Sequence, residues 1–393
     1  MTLHHFNVPA TIIAGKNASN ELVPQLLRIG ANRILFVTDS FMVASGRTAR
    51  FLDALSEAGI QATLFDGVQA DPTDANVLDG LTAYQAAQCQ AVVAFGGGSP
   101  MDAAKAIAIL TTNPLPLSNY QGYHQVPKPG APLIVIPTTA GTGSEVTKVA
   151  VITDTLRDVK MMMLDSHLLP TVALVDYENT LTMPPSLTAH VGVDTLTHGI
   201  EAYVSRKANP FTDPLALQCI ALVAHHLEKA YREPSDEKAR EGMMLAATLG
   251  GMAFSNSSVA LVHGMSRPLG AIFHVPHGLS NAVLLPAVTR FSIRGAISRY
   301  ATVSRTIRLC GQDTTDENAA ALLVPALEAL NQKLRIPSLA HCARSDRERF
   351  DSVKRKMATD ALSSGSPANN PVVPTVDEIV QLYDQIWYDL SVT

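Results

Sequence analysis

The sequence predicts two domains of different class: an α/β domain with a mostly parallel sheet over residues 1–184, and an all-α domain over residues 185–393. Short apolar runs alternate with helix-like segments in the first half, which is typical of a parallel sheet with helices on its faces. From Pro185 onward the pattern is helical and contains no clear strand. With 393 residues, of which 47% are hydrophobic and 17% charged, the chain is long and apolar enough for two cores.

Five apolar runs in the first half are predicted to be buried strands. Each is short, and the first and the last end in an acidic residue. Residues 48–58 and 75–87 have helical spacing and lie between these runs. The predicted strands are residues 33–39, 61–65, 91–95, 132–137 and 172–176.

The second half is predicted to be a bundle of helices. Residues 363–371 form a loop, after which Thr375 is expected to cap a last helix that runs to about residue 390. The other predicted helices are residues 188–205, 212–232, 237–254, 262–271, 280–287, 296–310, 319–334 and 344–361.

Two of the predicted strands run into loops that could bind an anion. After Phe95, residues 96–98 are three glycines, which allow close approach of a ligand at the start of the next helix. Residues 137–145 are rich in hydroxyl groups and glycine and can donate many hydrogen bonds. Neither loop is a G-x-G-x-x-G fingerprint or a Walker A motif. Glycines needed only for a tight turn, and a Thr or Ser helix cap, are the alternatives.

One carboxylate and three imidazoles form a candidate metal site. Asp194 and His198 are four residues apart in a predicted helix and therefore share a face. His263 and His277 come from a second region with a turn-rich stretch between them. Together the four side chains could close around a divalent transition metal. The alternative is a polar helix face and two histidines that bond to backbone carbonyls.

The segments around these residues match one family motif by motif. Residues 192–203 read Gly-x-Asp-x-x-x-His-x-x-Glu-Ala-Tyr, and residues 263–286 read His-Gly-Met-Ser-x-Pro-Leu-Gly-Ala-x-x-x-x-Pro-His-Gly-x-x-Asn-Ala-x-Leu-Leu-Pro. Residues 96–105 (Gly-Gly-Gly-Ser-x-x-Asp-x-x-Lys) and 137–145 (Pro-Thr-Thr-Ala-Gly-Thr-Gly-Ser-Glu) belong to the same pattern. The chain resembles the iron-containing (group III) alcohol dehydrogenase family over nearly its full length.

The resemblance implies a fold, a metal and a reaction. The fold is a Rossmann-like α/β domain followed by an all-α domain, as in dehydroquinate synthase. The metal is Fe²⁺, although Zn²⁺ or another divalent ion suits the same ligands. The reaction is that of an NAD-dependent alcohol dehydrogenase or aldehyde reductase, in which the metal polarises the oxygen of a small alcohol or aldehyde. The implied metal ligands are Asp194, His198, His263 and His277.

The resemblance also implies a set of cofactor-binding residues in the first half. Three contact the pyrophosphate: Gly97, Gly98 and Ser99. Three surround the nicotinamide ribose: Thr138, Thr139 and Thr142. Three more match other cofactor-contacting positions: Lys160, Leu181, and Asp71, where many members carry Asn.

Asp39 bears on the choice between NAD and NADP. It ends an early strand, where a carboxylate can bond the ribose hydroxyls and repels a 2′-phosphate. This favours NAD over NADP. The alternative is an N-cap for the helix that begins near Ser40, and both roles can hold together.

Arg267 departs from the family pattern, because many members carry His at this position. An arginine cannot shuttle protons at neutral pH or bind a metal. Our hypothesis is that Arg267 supplies a fixed positive charge for a hydroxy acid or another anionic substrate, or for the cofactor. The alternatives are an ion pair behind the metal ligands, or drift between lineages.

Other functions remain open from the sequence alone. A hydroxyacid–oxoacid transhydrogenase shares the His-Gly-Met-Ser segment. A metal- and NAD-dependent lyase or cyclase of the dehydroquinate synthase type would need more basic residues near the metal. A non-enzymatic nucleotide-binding role is the least favoured.

Charge and composition argue against several partners. The net charge is −5 and there is no basic run, so neither nucleic acid nor a membrane surface is expected as a partner. We expect neither a signal peptide nor a spanning segment. The four cysteines are far apart and are typical of a reduced, cytoplasmic protein. The resemblance implies a homodimer or a higher homo-oligomer.

Overall fold

The computed structural model describes residues 3–157, 159–344 and 346–388. Within them the chain divides into two compact units. One unit is His5–Leu181, and the other begins at Thr182.

The unit His5–Leu181 is built on a six-stranded sheet in which every pairing is parallel. The strand order is β1-β9-β6-β4-β2-β3. All residues of β4, β6 and β9 are buried, which explains why these strands are uninterrupted apolar runs. The predicted parallel sheet is therefore confirmed. Its strands are β1 (Thr11–Ala14), β2 (Arg33–Val37), β3 (Gln61–Phe65), β4 (Ala91–Gly96), β6 (Leu133–Pro137) and β9 (Val172–Val175).

A smaller sheet in the same unit was not predicted. Its strands are β5 (Gly122–Tyr123), β7 (Val149–Asp154) and β8 (Val159–Leu164), in the order β5-β8-β7. β7 and β8 form an antiparallel pair. Burial alternates along β8, where Met161 and Met163 lie inside, so the methionine run serves packing. Methionine has little preference for strands, so the sequence pattern did not predict β8.

Helices follow most strands of the six-stranded sheet. Helix α5 begins immediately after β4, with Gly97 as its N-cap, and is almost entirely buried. The rings of Phe36, Phe51 and Phe95 pack against one another in the core at centroid distances of 4.9–6.3 Å. The helices of this unit are α1 (Leu22–Ile29), α2 (Ser40–Ala44), α3 (Ala49–Glu57), α4 (Asp74–Ala86) and α5 (Gly98–Leu110).

The second unit is helical, as predicted, and its described residues contain no strand. The segment predicted as one helix over 319–334 is broken at Leu322 into two helices. The predicted last helix is described to Tyr388, and its predicted end lies outside the described residues. The helices are α6 (Pro185–Val204), α7 (Thr212–Arg232), α8 (Glu237–Asn256), α9 (Leu261–Phe273), α10 (His277–Ser292), α11 (Ile297–Thr306), α12 (Asp316–Ala321), α13 (Leu323–Lys333), α14 (Leu339–Cys342), α15 (Arg347–Ser363) and α16 (Val376–Tyr388).

None of the helices in the described part of the chain is by itself long and apolar enough to cross a membrane. The pair α8 and α9, bent by 102° at the break between them, meets the criteria of length and composition only when taken together.

Candidate metal centre and cofactor loops

Helix α6 carries Asp194 and His198 at the centre of the helical unit. Both side chains are buried, because α7 lies close to α6. Two glycines allow this approach: a Cβ on Gly192 would lie 2.2 Å from the side chain of Leu227, and one on Gly199 would lie 2.8 Å from Ile220. The sequence around the first two candidate ligands is therefore adapted to a tight helix pair.

All three predicted histidine ligands face the same oxygen of Asp194, and Asp194, His263 and His277 form a compact group that His198 flanks. The Nε2 atoms of His198, His263 and His277 lie 3.8, 3.6 and 3.9 Å from Oδ1 of Asp194. Potential ligand atoms of Asp194, His263 and His277 all lie within 4.8 Å of one another. The rings of His198 and His263 stack at 4.7 Å. Because N and O ligands bind such ions at about 2.0–2.2 Å, they lie roughly 3–4 Å apart around one ion, so this arrangement fits a divalent cation.

Asn281 belongs to the same centre, although sequence reasoning gave it no role. Its amide Nδ2 donates to Oδ1 of Asp194 at 2.6 Å and lies 3.2 Å from Nε2 of both His263 and His277. Its Oδ1 is buried and has no hydrogen-bond partner among the described residues. The amide group of Asn281, which carries partial positive charge, thus faces the lone pairs of three candidate ligands. A site that accommodates positive charge in this way fits a cation. Asn281 follows His277 by one turn of α10, and that spacing was the available signal.

Glu201 was also missed. It lies one turn after His198 on α6 and is 3% exposed. Its Oε2 lies 2.6 Å from Nδ1 of His263, on the far side of the ring from Asp194. Glu201 therefore contacts a candidate ligand from behind.

Arg267 lies on α9, one turn after His263, and is half-buried. The positive charge of Arg267 acts electrostatically on His277. The side chain of His277 is 49% exposed, and its Nε2 faces the buried Asp194. Desolvation is the main cause that lowers the pKa of His277 below its usual value. The neighbouring imidazoles and Arg267 lower it further, and Asp194 opposes them. The ring is thus neutral near pH 7 and can act as a ligand.

In the sheet unit, the two predicted cofactor loops lie against each other. A Cβ on Gly98 would lie 3.1 Å from the methyl group of Thr142, and one on Gly97 would lie 3.6 Å from the methyl group of Thr139. The hydroxyl oxygens of Thr138 and Thr139 are buried without a hydrogen-bond partner in the described part of the chain. Ser99 lies in the first turn of α5. The amides at the N-terminus of α5 and the unpaired hydroxyls of Thr138 and Thr139 fit a polar, anionic ligand such as a dinucleotide.

A buried ion pair holds these loops together. Nζ of Lys105 donates to the hydroxyls of Ser144 and Thr147 at 2.8 and 3.0 Å and to the carbonyl of Val149 at 2.8 Å. Asp102 accepts from the Ser144 hydroxyl at 2.7 Å and from the amide of Val151 at 2.9 Å. Burial lowers the pKa of Lys105 to about 8 against the opposing charges of Asp102 and Glu145. Burial likewise raises the pKa of Asp102.

The remaining cofactor candidates occupy other parts of this unit. Lys160 pairs with Asp71 at 2.6 Å. Asp71 has a φ of 56°, a left-handed conformation that Asn and Asp adopt more readily than most residues. Leu181 ends a short 3₁₀ turn, Tyr177–Thr180, and is half-buried.

Asp39 does serve as an N-cap. Its Oδ1 accepts from the amide of Met42 at 2.9 Å at the start of α2. Arg47 is close enough for its pKa to be affected by the charge of Asp39, although desolvation and then Arg50 have the larger effects and lower it. The Arg47 guanidinium donates to the carbonyl of Asn179.

Comparison with known proteins gives a consistent result over the whole chain. The family model "Iron-containing alcohol dehydrogenase" matches residues 9–177, and "Fe-containing alcohol dehydrogenase family, C-terminal" matches residues 188–387. The chain is 37% identical to an NAD-dependent methanol dehydrogenase of Bacillus methanolicus over 96% of this chain and 98% of that protein. It is 36% identical to a lactaldehyde reductase of Escherichia coli (strain K12) over 95% of this chain and 97% of that protein. A crystal structure of a 1,3-propanediol oxidoreductase superimposes with a TM-score of 0.95 and 35% identity, over 98% of this chain and all of that one.

Proposed function

The chain belongs to the iron-containing alcohol dehydrogenase family, and from that premise we propose which residues hold the metal, the dinucleotide and the substrate. It is an NAD-dependent oxidoreductase that acts on CH–OH groups and transfers hydride between a small alcohol or aldehyde and the nicotinamide. The relatives do not favour the transhydrogenase or the dehydroquinate synthase-type lyase.

We propose that Asp194, His198, His263 and His277 hold Fe²⁺. The observation that carries this proposal is the convergence of three Nε2 atoms within 3.6–3.9 Å of one carboxylate oxygen. When bound, the cation supplies a Lewis acid that polarises the substrate oxygen. The side chains fix the position of the cation. One carboxylate and three neutral imidazoles around a divalent cation give a centre with a net positive charge. Zn²⁺ or another divalent ion suits the same ligands.

The dinucleotide is assigned to the two loops of the sheet unit. Gly97, Gly98 and Ser99 would present amides at the N-terminus of α5 to the pyrophosphate. Thr138 and Thr139 would satisfy their buried hydroxyls on the ribose of the nicotinamide half, together with Thr142. Lys160, Asp71 and Leu181 complete the assignment. Asp39 favours NAD, because its carboxylate would repel a 2′-phosphate.

Arg267 is assigned to the substrate. It shares one face of α9 with His263, and its positive charge contributes to the lowered pKa of His277. A fixed cation beside the metal ligands would attract a substrate that carries a carboxylate or another anion. We therefore propose that this chain prefers anionic aldehydes or hydroxy acids over neutral ones of similar size.

The function is tested with protein loaded anaerobically with Fe²⁺. NADH oxidation is followed with pairs of aldehydes that differ in one carboxylate. We expect steady turnover that a chelator abolishes and that returns when Fe²⁺ is restored. If no carbonyl compound supports oxidation of free NADH, the dehydrogenase assignment is wrong.

Arg267 is tested by Arg267→Ala and Arg267→Lys. Losing one charge contact costs about 1–3 kcal/mol, so the alanine variant should lose roughly tenfold or more in kcat/KM for the carboxylate-bearing aldehydes only. The lysine variant keeps the charge and should retain part of the preference. Equal losses for neutral and acidic partners would exclude a role in substrate charge recognition.

We propose in addition that residues 1–184 act as the dinucleotide-binding domain and residues 185–393 as the metal-binding domain. A homodimer or higher homo-oligomer in the cytoplasm follows from the family resemblance. The four free cysteines are compatible with a reducing compartment. Light scattering after size-exclusion chromatography measures the oligomeric state directly.

A further inference from the structure

Glu201 is a buried carboxylate in the helical unit whose surroundings are unusual for an acidic residue. It is 3% exposed and belongs to the same face of α6 as Asp194 and His198. Burying a charge is costly unless hydrogen bonds compensate for the lost water. The contacts of Glu201 therefore indicate its role.

Three donors surround this carboxylate. Oε1 accepts from the amide of Val262 at 2.6 Å, and Oε2 accepts from the amide of Ala260 at 2.8 Å. Oε2 also lies 2.6 Å from Nδ1 of His263. The two amides belong to the N-cap and the first turn of α9, the helix that carries His263. One carboxylate thus fixes both a helix end and a side chain of that helix.

The contact with Nδ1 determines the chemical form of His263. An ionised carboxylate cannot donate, so Nδ1 carries a proton, and in the neutral ring Nε2 then has a free lone pair. Nε2 of His263 is the atom that faces Asp194 at 3.6 Å. A hydrogen-bonded carboxylate behind a ligand imidazole fixes its orientation and increases its basicity.

The two backbone contacts fix the position of the start of α9. The first amides of a helix have no acceptor within the helix and carry partial positive charge, which a carboxylate stabilises. Because Glu201 projects from α6, these bonds fix the start of α9 relative to the helix that bears Asp194 and His198. The distance between Nε2 of His263 and Asp194 thus depends on Glu201.

We infer that Glu201 is a positioning residue of the metal centre: it holds His263 in the tautomer that can bind a cation and anchors α9 to α6. This inference rests on the proposed metal centre. It assigns no contact between Glu201 and the cation or the substrate.

The test measures the binding of Co²⁺ alone to full-length protein from which metals have been removed. The dissociation constant is obtained by competition with a chromophoric chelator, and the visible spectrum of bound Co²⁺ reports its ligands. Loss of such a carboxylate weakens metal binding about 10–100-fold, and we expect Glu201→Gln to do so and to change the spectrum. Gln has one acceptor oxygen, so it cannot serve both amides and Nδ1. Glu201→Asp keeps the charge and should bind with intermediate affinity.

A matched control separates positioning from simple helix capping. Asp346 is an exposed carboxylate that caps α15 through the amide of Arg349 at 2.9 Å. Asp346→Ala removes this cap and should lower the Tm of the protein without changing Co²⁺ affinity.

The outcomes distinguish the inference from its premise. If Glu201→Gln binds Co²⁺ with the affinity and spectrum of the wild type, Glu201 is only a cap and the inference is overturned, whatever its Tm. If the wild type itself takes up no Co²⁺, the proposed metal centre fails and the inference fails with it. Circular dichroism establishes that each variant is folded, and Glu201→Asp carries the test if the glutamine variant is not.

Discussion

The two units of this protein each contain an acidic residue largely removed from water, but the two residues have different neighbours. In the helical unit, Glu201 contacts two helix amides and the imidazole of His263. In the sheet unit, Asp102 contacts the hydroxyl of Ser144 and the amide of Val151, and lies 3.9 Å from Nζ of Lys105. The carboxylate of Glu201 contacts a side chain that is a candidate metal ligand, whereas that of Asp102 contacts only the segments that carry the candidate dinucleotide loops.

Because the neighbours differ, mutations at the two positions should affect different properties. A change at the metal centre should alter the affinity for the cation and the chemical step. A change in the Asp102–Lys105 pair should alter the stability of the sheet unit and the affinity for the dinucleotide, because the pair links α5 to the loop that contains Ser144 and to β7.

The largest effect is expected for Asp194→Asn. Each of the three candidate histidine ligands has its Nε2 within 3.9 Å of Asp194 Oδ1, and the amide removes the only negative charge among the four candidate ligands. Bound metal should be lost, and kcat/KM for the aldehyde should fall roughly 10³-fold or more, since a Lewis acid contributes several kcal/mol. Metal content and NADH oxidation are the measurements.

The same variant tests whether NADH binding depends on the metal centre. A fluorescence titration of Asp194→Asn with NADH should give the affinity of the wild type. The exposed Asp313→Asn is the matched control and should keep both metal and activity. A large loss of NADH affinity in Asp194→Asn would show that the two regions are not independent.

Lys105→Met is the corresponding change in the sheet unit. Methionine fits the buried volume but leaves the hydroxyls of Ser144 and Thr147 and the carbonyl of Val149 without their donor, and buried groups left unpaired cost about 1–3 kcal/mol each. We expect that loss in the free energy of unfolding, together with a higher KM for NADH and an unchanged metal content. Urea denaturation and steady-state kinetics measure these quantities. Lys128→Met removes an exposed lysine of the same unit and should have neither effect.

Much of the frame was predictable from the sequence, because local pattern determines it. Uninterrupted apolar runs mark parallel strands buried on both faces, as in β4 and β6. The strand β3 was predicted with its observed bounds, but its predicted burial was wrong, because β3 lies at the edge of the sheet and none of its residues is buried. The long helix α7 was also predicted with its observed bounds, from helical spacing alone. The four-residue strand β1 was too short to be recognised.

The supporting contacts were not predictable, because they join residues far apart in the chain. Glu201 reaches His263 across 62 positions, and Asn281 reaches Asp194 across 87. No periodicity connects such pairs, and only the packing of α6 against α9 and α10 creates them. The ligand set itself could be proposed because the residue types and the family motifs are visible locally.

The buried lysine also predicts a pH dependence of stability. In the unfolded chain Lys105 keeps its proton up to about pH 10.5, whereas in the folded chain it releases the proton near pH 8. Between these values the unfolded state binds more protons, so raising the pH stabilises the folded state. Relative to Lys105→Met, the free energy of unfolding of the wild type should rise by roughly 2 kcal/mol between pH 8 and pH 10. Urea denaturation at both pH values checks this. An equal pH dependence in the variant would mean that Lys105 is not the titrating group.

The smallest effect is expected at Asp39, where a cap and a charge can be separated. Asp39 caps α2 through the amide of Met42, and we propose that its negative charge also disfavours a 2′-phosphate. Asp39→Ser keeps an N-cap hydroxyl and removes the charge, so α2 should persist. Since Arg47 lies near this position, kcat/KM with NADPH should rise about tenfold, equivalent to about 1.4 kcal/mol, while that with NADH falls. Kinetics with both cofactors measure the ratio, and metal content should not change. If the ratio stays constant although the variant is folded, Asp39 is a cap and nothing more.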